Sequence, residues 1–474
     1  MNQQVTWKMF LKMMLTIAFP IAMQNLLTNT ASMVDTIMIG NQGEMAVAAV
    51  GICSQISSLF FNCYWGFAGG SILFFAQYWG ARDEKGINRT FGLTFICMAI
   101  VGFGFGLMSI LHPSFLLSIY TDKVSLIEIG TPYMRIVGFA YPLQVFAVLV
   151  SVLMRSTERV KAPLVCSAVA LGVNCSVNWV LIYGRFGFPE MGAAGAAVGT
   201  LASAVVNLAL LIFALLRSGC EVRLRLSQIF GIKKSFAGEY LKKVLPILGN
   251  ELLYGVGQML INIVIGHQNE AAIAAMAAFR VCEGFVYAFF GGLSNANSVV
   301  VGREVGAGRL HRGYQFAKRS AVFCPLITFT IVLICVLLNH PLFTLFGLGS
   351  QAMTYGTFML IIYLFFGSVR TCDYIINDTF RAGGEPVVGT VIEISCLFLI
   401  TVPMTWAAGM IWHLPFLAVF AFVYTDELIR LFILVPYLRS GKWVKPVTDD
   451  GKAALEEFRE SRKSRGRKRK SVIK

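Results

Sequence analysis

The sequence predicts an all-α membrane protein of about twelve spanning helices, built as two parallel six-helix repeats around a central cavity. Composition is the first ground: the 474 residues are 56% hydrophobic and only 14% charged, with a mean hydropathy of +0.69. Soluble globular domains do not reach such values. The second ground is a duplication. Pro20 recurs as Pro246, Gly40 as Gly266, Gly80 as Gly306 and Arg155 as Arg381, each 226 residues further on. Between these anchors MVDTIMIGNQGEMAVAA (33–49) matches MLINIVIGHQNEAAIAA (259–275), with no gap needed from Pro20 to Ala81. The third is charge placement, because Lys and Arg fall almost entirely on alternate connections. Internal repeats in a polytopic membrane protein are the mark of a transporter.

The spans follow in order. A hydrocarbon core of about 30 Å needs roughly 20 apolar residues, and such runs centre near Ala22, Leu59, Gly102, Val145, Val173, Val205, Gly255, Phe289, Thr330, Phe365, Leu399 and Phe420. Continuous apolar runs lack the alternation of a barrel strand, so helices are the spanning element. Lys8 and Lys12 precede the first run as they would in a signal peptide, but Gln24 and Asn25 interrupt it and no small-residue cleavage site follows. It reads as a retained first span. Gly102, Gly104 and Gly106 lie inside the third span, where close helix contact explains them and phosphate binding does not. The eleven cysteines are scattered singly without metal spacing, so packing explains them.

Arg82, Lys85, Arg89, then Arg155, Arg159, Lys161, then Arg223, Arg225, Lys233, Lys234, Lys242, Lys243, then Arg303, Arg309, Arg312, Lys318, Arg319 mark the cytoplasmic connections; the others carry only Lys123 and Arg185. Both termini are therefore expected inside, in the plasma membrane. An even number of spans per copy makes the repeats parallel, with their axis along the membrane normal. The expected boundaries are an N-terminal lobe 1–216, a linker 217–243, a C-terminal lobe 244–440 and a basic tail 441–474. The tail is expected beside an anionic leaflet and not on nucleic acid. A monomer is expected, with no cofactor.

Polar groups inside spans are costly, and an acid there calls for a partner or a task. Asp35 lies about 7 Å below the end of the first span at Gly40. Asn174 and Asn178 are one turn apart in the fifth span, Asn178 about 9 Å below Gly184. An Asp and two carboxamides at one level can replace a Na⁺ hydration shell, or hydrogen-bond Asp35 in either protonation state. In the second half Ile261 stands at the register position of Asp35, and the acids are Glu251, Glu283, Asp373, Asp378 and Glu393. Glu251, Asp373 and Glu393 each lie roughly 10 to 12 Å from the cytoplasmic side. They could form a second cation site or a protonatable cluster. Arg370 stands three residues before Asp373 and Arg280 three before Glu283, so either acid could instead be ion-paired on its own helix. No local partner is visible for Glu251 or Glu393.

FPIAMQNLLTNTASMVDTIMIG (19–40), the Asn174–Asn178 pair leading into NWVLIYGRFGFPEMGAAGAAVGT (178–200), and FRAGGEP (380–386) resemble the multidrug and toxic compound extrusion family of antiporters, in order and over essentially the whole chain. The resemblance implies a V-shaped pair of six-helix lobes exporting organic compounds in exchange for Na⁺ or H⁺, and the first expectation for this chain is export of amphipathic, cationic compounds. It implies a coupling role for Asp35, which matches the family's first-span Asp, and suits Glu251 and Asp373 as coupling acids. Some proton-coupled relatives carry Asp where Asn178 stands, which bears on ion choice. A lipid-linked precursor flippase shares the wider architecture but calls for several cavity-facing bases. A P-loop, HExxH and GxSxG are all absent from the sequence, so neither ATP hydrolysis nor a membrane enzyme is indicated.

Overall fold

The computed structural model describes residues 5–217 and 224–472, so Arg223 of the expected linker and the last two residues of the tail lie outside the described residues. Among the described residues all regular structure is helical. The long helices are α1 (Trp7–Gly40), α2 (Glu44–Gly80), α3 (Glu84–Leu111), α4 (Val124–Ser156), α5 (Lys161–Ile182) and α6 (Ala193–Arg217). The second half repeats them as α7 (Lys234–Gly266), α8 (Glu270–Gly306), α9 (Leu310–Leu337), α10 (Ser350–Gly383) and α11 (Pro386–Ile411). These eleven are long and apolar enough to cross a membrane. The twelfth expected span is broken into Phe416–Phe422 and α12 (Thr425–Ser440). Asp426, Glu427 and Arg430 are the reason it is less apolar than the rest.

The duplication reappears in the connections and in the packing. A short helix, Pro113–Ser118, links α3 to α4, and another, Asn339–Leu345, begins 226 residues later between α9 and α10. Helix α3 packs on α4 and α4 on α6; correspondingly α9 packs on α10 and α10 on α12. Gly102 and Gly106 allow the first of these approaches. A Cβ on Gly102 would stand 2.7 Å from Val145 Cγ2, and one on Gly106 would stand 2.8 Å from the Gly138 carbonyl.

Two compact units emerge. The N-terminal unit comprises Met23–Phe75 and Glu84–Leu248; the C-terminal unit comprises Met1–Ala22, Ala76–Asp83 and Gly249–Lys474. These units do not follow the lobe boundaries expected from the repeat. Helix α1 changes unit after Ala22 and α7 after Leu248, register positions 226 apart. Each change falls two residues beyond a helix-interior proline, Pro20 or Pro246. Proline removes one hydrogen bond of the helical ladder and makes such a point the natural place for a bend.

The segment after α12 is folded in its first part. Trp443 is fully buried, its Nε1 donating to the Leu438 carbonyl at 3.0 Å. The Lys445 amide donates to Gly383 O at 2.7 Å, the Val447 amide to Gln77 Oε1 at 2.8 Å, and the Thr448 hydroxyl to Gly306 O at 2.7 Å. These bonds tie the ends of α2, α8 and α10 together within the C-terminal unit. A helix over Leu455–Val472 follows.

Candidate functional site

In the N-terminal unit the three expected residues meet. Asp35 is half-buried, Asn174 and Asn178 are buried. The Asn178 carboxamide donates from Nδ2 to Asp35 Oδ1 at 2.5 Å and to Asn174 Oδ1 at 3.3 Å. Its own Oδ1 is buried and accepts no hydrogen bond among the described residues. That oxygen faces Gly199 of α6, where an added Cβ would lie 1.9 Å away. The shape of a carboxamide is nearly unchanged when its O and N exchange places. As arranged, Asn178 stabilises an ionised Asp35; turned over, it presents an oxygen to a protonated Asp35 or to a cation held beside it. An all-oxygen donor set of this kind fits a hard cation.

The C-terminal unit carries a larger network. Arg430 of α12 lies 2.5 Å from Glu427, 3.2 Å from Asp426, 3.5 Å from Glu393 and 3.8 Å from Asp373. Arg381 lies 3.4 Å from Glu251, 3.6 Å from Asp378 and 4.0 Å from Glu393. Arg370 bonds Glu283 at 2.7 Å and the Tyr254 hydroxyl at 2.7 Å, and stands 3.7 Å from Glu427. Seven carboxyl groups thus share three guanidinium groups. Glu393 is the joint between two of the arginines, and it also accepts from Asn377 at 2.7 Å and Asn250 at 3.0 Å. Asp373 is deeply buried, and neither of its oxygens accepts a hydrogen bond among the described residues. Beside Arg370 and Arg430 a cavity of about 140 Å³ opens, lined among others by Gln258, Asn262, Arg280 and Thr401.

Glu251, Glu283, Asp373 and Glu393 therefore belong to one cluster, as the depth argument expected for three of them. The local pairings do not form. Arg370 reaches Glu283 and not Asp373, and Arg280 bonds the Asn262 carboxamide oxygen and not Glu283. A helical side chain leans toward its own N-terminus, which carries Arg370 away from the residue three positions ahead and onto α8. Glu251 and Glu393, for which no partner was visible in sequence, are met by arginines from other helices. Arg381, Asp426, Glu427 and Arg430 were not foreseen as site residues. The signal for the last three was the run TDELIR, three charges within six residues of an otherwise apolar stretch.

A family model, MatE, matches residues 20–180 and 246–407, once in each half. The chain belongs to the MatE family. Among MatE relatives, the probable multidrug resistance protein NorM of Thermotoga maritima is 23% identical over 440 residues, covering 92% of this chain and 93% of its own. The uncharacterized transporter YisQ of Bacillus subtilis is 22% identical over 421 residues, covering 87% and 90%. Of solved structures, the Vibrio cholerae MATE transporter VcmN in its bent form matches with a TM-score of 0.81 at 17% identity, covering 92% of this chain and 97% of that one. An outward-facing MATE transporter of the MOP superfamily matches at 0.80. At these identities the structures speak for the fold, which is the MatE fold.

Proposed function

We propose that this protein is a secondary antiporter that expels amphipathic, cationic organic compounds across the plasma membrane in exchange for Na⁺ or H⁺, with both termini cytoplasmic. The observation that carries the reading is the surplus of acid at membrane depth. Seven carboxyl groups around three arginines, if all ionised, leave four negative charges unbalanced. A single charge at the centre of a spanning helix already costs about 2.5 to 3.5 kcal/mol on insertion scales. Such a network is suited to taking up protons or cations, and Asp35 with its carboxamides is suited to holding one more. The names of the NorM relatives support a multidrug substrate range.

An ion that binds these carboxylates in one state and leaves them in another shifts the balance between two conformations by its difference in affinity for them. That difference is what couples the ion to the guest. Vesicles containing the purified protein should expel a fluorescent cationic dye when a Na⁺ gradient is imposed at fixed pH, or a pH gradient without Na⁺. Identical dye leakage with and without both gradients would sink the antiport reading.

A further inference from the structure

The two repeats set the same polar scaffold at the same register and fill it with different charges. In the C-terminal unit Asn250 donates to Glu393, Asn377 donates to Glu393, and Arg381 stands beside it. The residues 226 positions earlier are Gln24, Ser151, Arg155 and Ser167. Their contacts repeat the pattern within the N-terminal unit. Gln24 Nε2 donates to Ser167 Oγ at 2.9 Å and to Ser151 Oγ at 3.4 Å, and Arg155 Nε donates to Gln24 Oε1 at 3.0 Å.

The acids alone are missing. Glu251, Asp378 and Glu393, the three partners of Arg381, correspond to Asn25, Val152 and Ser167. Arg155 is 8% exposed, and among the described residues it has no ion-pair partner and no acceptor for either Nη. A buried guanidinium without a counter-ion is unfavourable. Its place in the last turn of α4 offers only the modest attraction of helix carbonyl ends. Exchange of Glu393 for Ser167 at this position removes the acidic arm and keeps the donors that would surround it. Ser167 is half-buried, so the cradle is not sealed.

We propose that Arg155, with Gln24, Ser151 and Ser167, forms a binding site for the carboxylate of an organic ligand, whose acid group takes the place filled by Glu393 in the other repeat. One planar guanidinium with neutral hydroxyl and carboxamide donors matches a monoanionic carboxylate. A phosphate dianion would meet only one cation. The site extends the ligands of this protein from cations to compounds bearing an acid group, and it needs neither Asp35 nor the acid network.

The test is thermal unfolding of the purified full chain at constant ionic strength with benzoate, with benzamide as its neutral counterpart, and with inorganic phosphate. Benzoate should raise the midpoint saturably by about 2 °C or more, and benzamide and phosphate should not. Ser167→Glu supplies the carboxylate covalently: it should unfold above the wild type without ligand and cease to respond to benzoate. The Arg155→Gln variant should also be unresponsive, and its folding is checked by dye efflux. No saturable benzoate response in the wild type overturns the proposal whatever the variants do. So does a response retained in Ser167→Glu, or a larger response to phosphate, which would assign the site to free phosphate or a lipid headgroup. Because binding is read and not transport, loss of benzoate binding and loss of dye efflux are separable results.

Discussion

At Asp35 one carboxamide decides what the acid can do. Asn178 holds Asp35 Oδ1 at 2.5 Å, while its own oxygen stays buried and unbonded. Asp35→Asn keeps the size and a hydrogen bond to Asn178 but removes the charge, so folding should survive and gradient-driven dye efflux should fall at least about tenfold, the scale of losing a charge-assisted hydrogen bond. Normal efflux by a folded Asp35→Asn protein would exclude the residue from coupling. Gly199 gives a second test. With 1.9 Å between an added Cβ and Asn178 Oδ1, Gly199→Ala must push Asn178 off Asp35 or open α5 from α6. Overpacking of this kind costs about 1 to 3 kcal/mol, to be measured as a lowered unfolding midpoint together with impaired efflux.

The helices show which parts of the fold were legible and which were not. Long apolar runs set between basic connections mark helical spans because a continuous apolar run without strand alternation satisfies its backbone in lipid only as a helix, and the spacing of 226 residues survives as repeated helix packing. Asp35 and Asn178 were legible because depth along a helix follows from residue count. The partners of Glu251 and Glu393 were not, since Arg381 and Arg430 reach them from other helices, and contact between helices is written in no local spacing. The segment after α12 reads in sequence as a basic tail beside an anionic leaflet, because its charge hides Trp443, a fully buried side chain. Trp443→Ala should therefore destabilise the protein by about 3 to 5 kcal/mol, seen by thermal unfolding. A change within error of the wild type would mean that this segment contributes nothing to the fold.

For the molecule as a whole the repeats agree in fold and differ in charge: the N-terminal cluster joins one acid, Asp35, to two carboxamides, and the C-terminal cluster joins seven acids to three arginines. Sites that act independently contribute additively, within about 0.5 kcal/mol. If each cluster takes up the coupling ion, that ion stabilises the folded protein through both, by an amount set by its concentration relative to each affinity. Asp35→Asn should then remove part of the Na⁺-dependent or pH-dependent rise in unfolding midpoint, Glu251→Gln another part, and the double variant should lose roughly the sum. Glu251→Gln disturbs the acid network without stranding a buried arginine, because Arg381 keeps Asp378 and Glu393. Complete loss of the ion effect in Asp35→Asn alone would place all uptake in the N-terminal unit. The acid network would then be a structural ion-pair cluster, holding α7, α8, α10, α11 and α12 together.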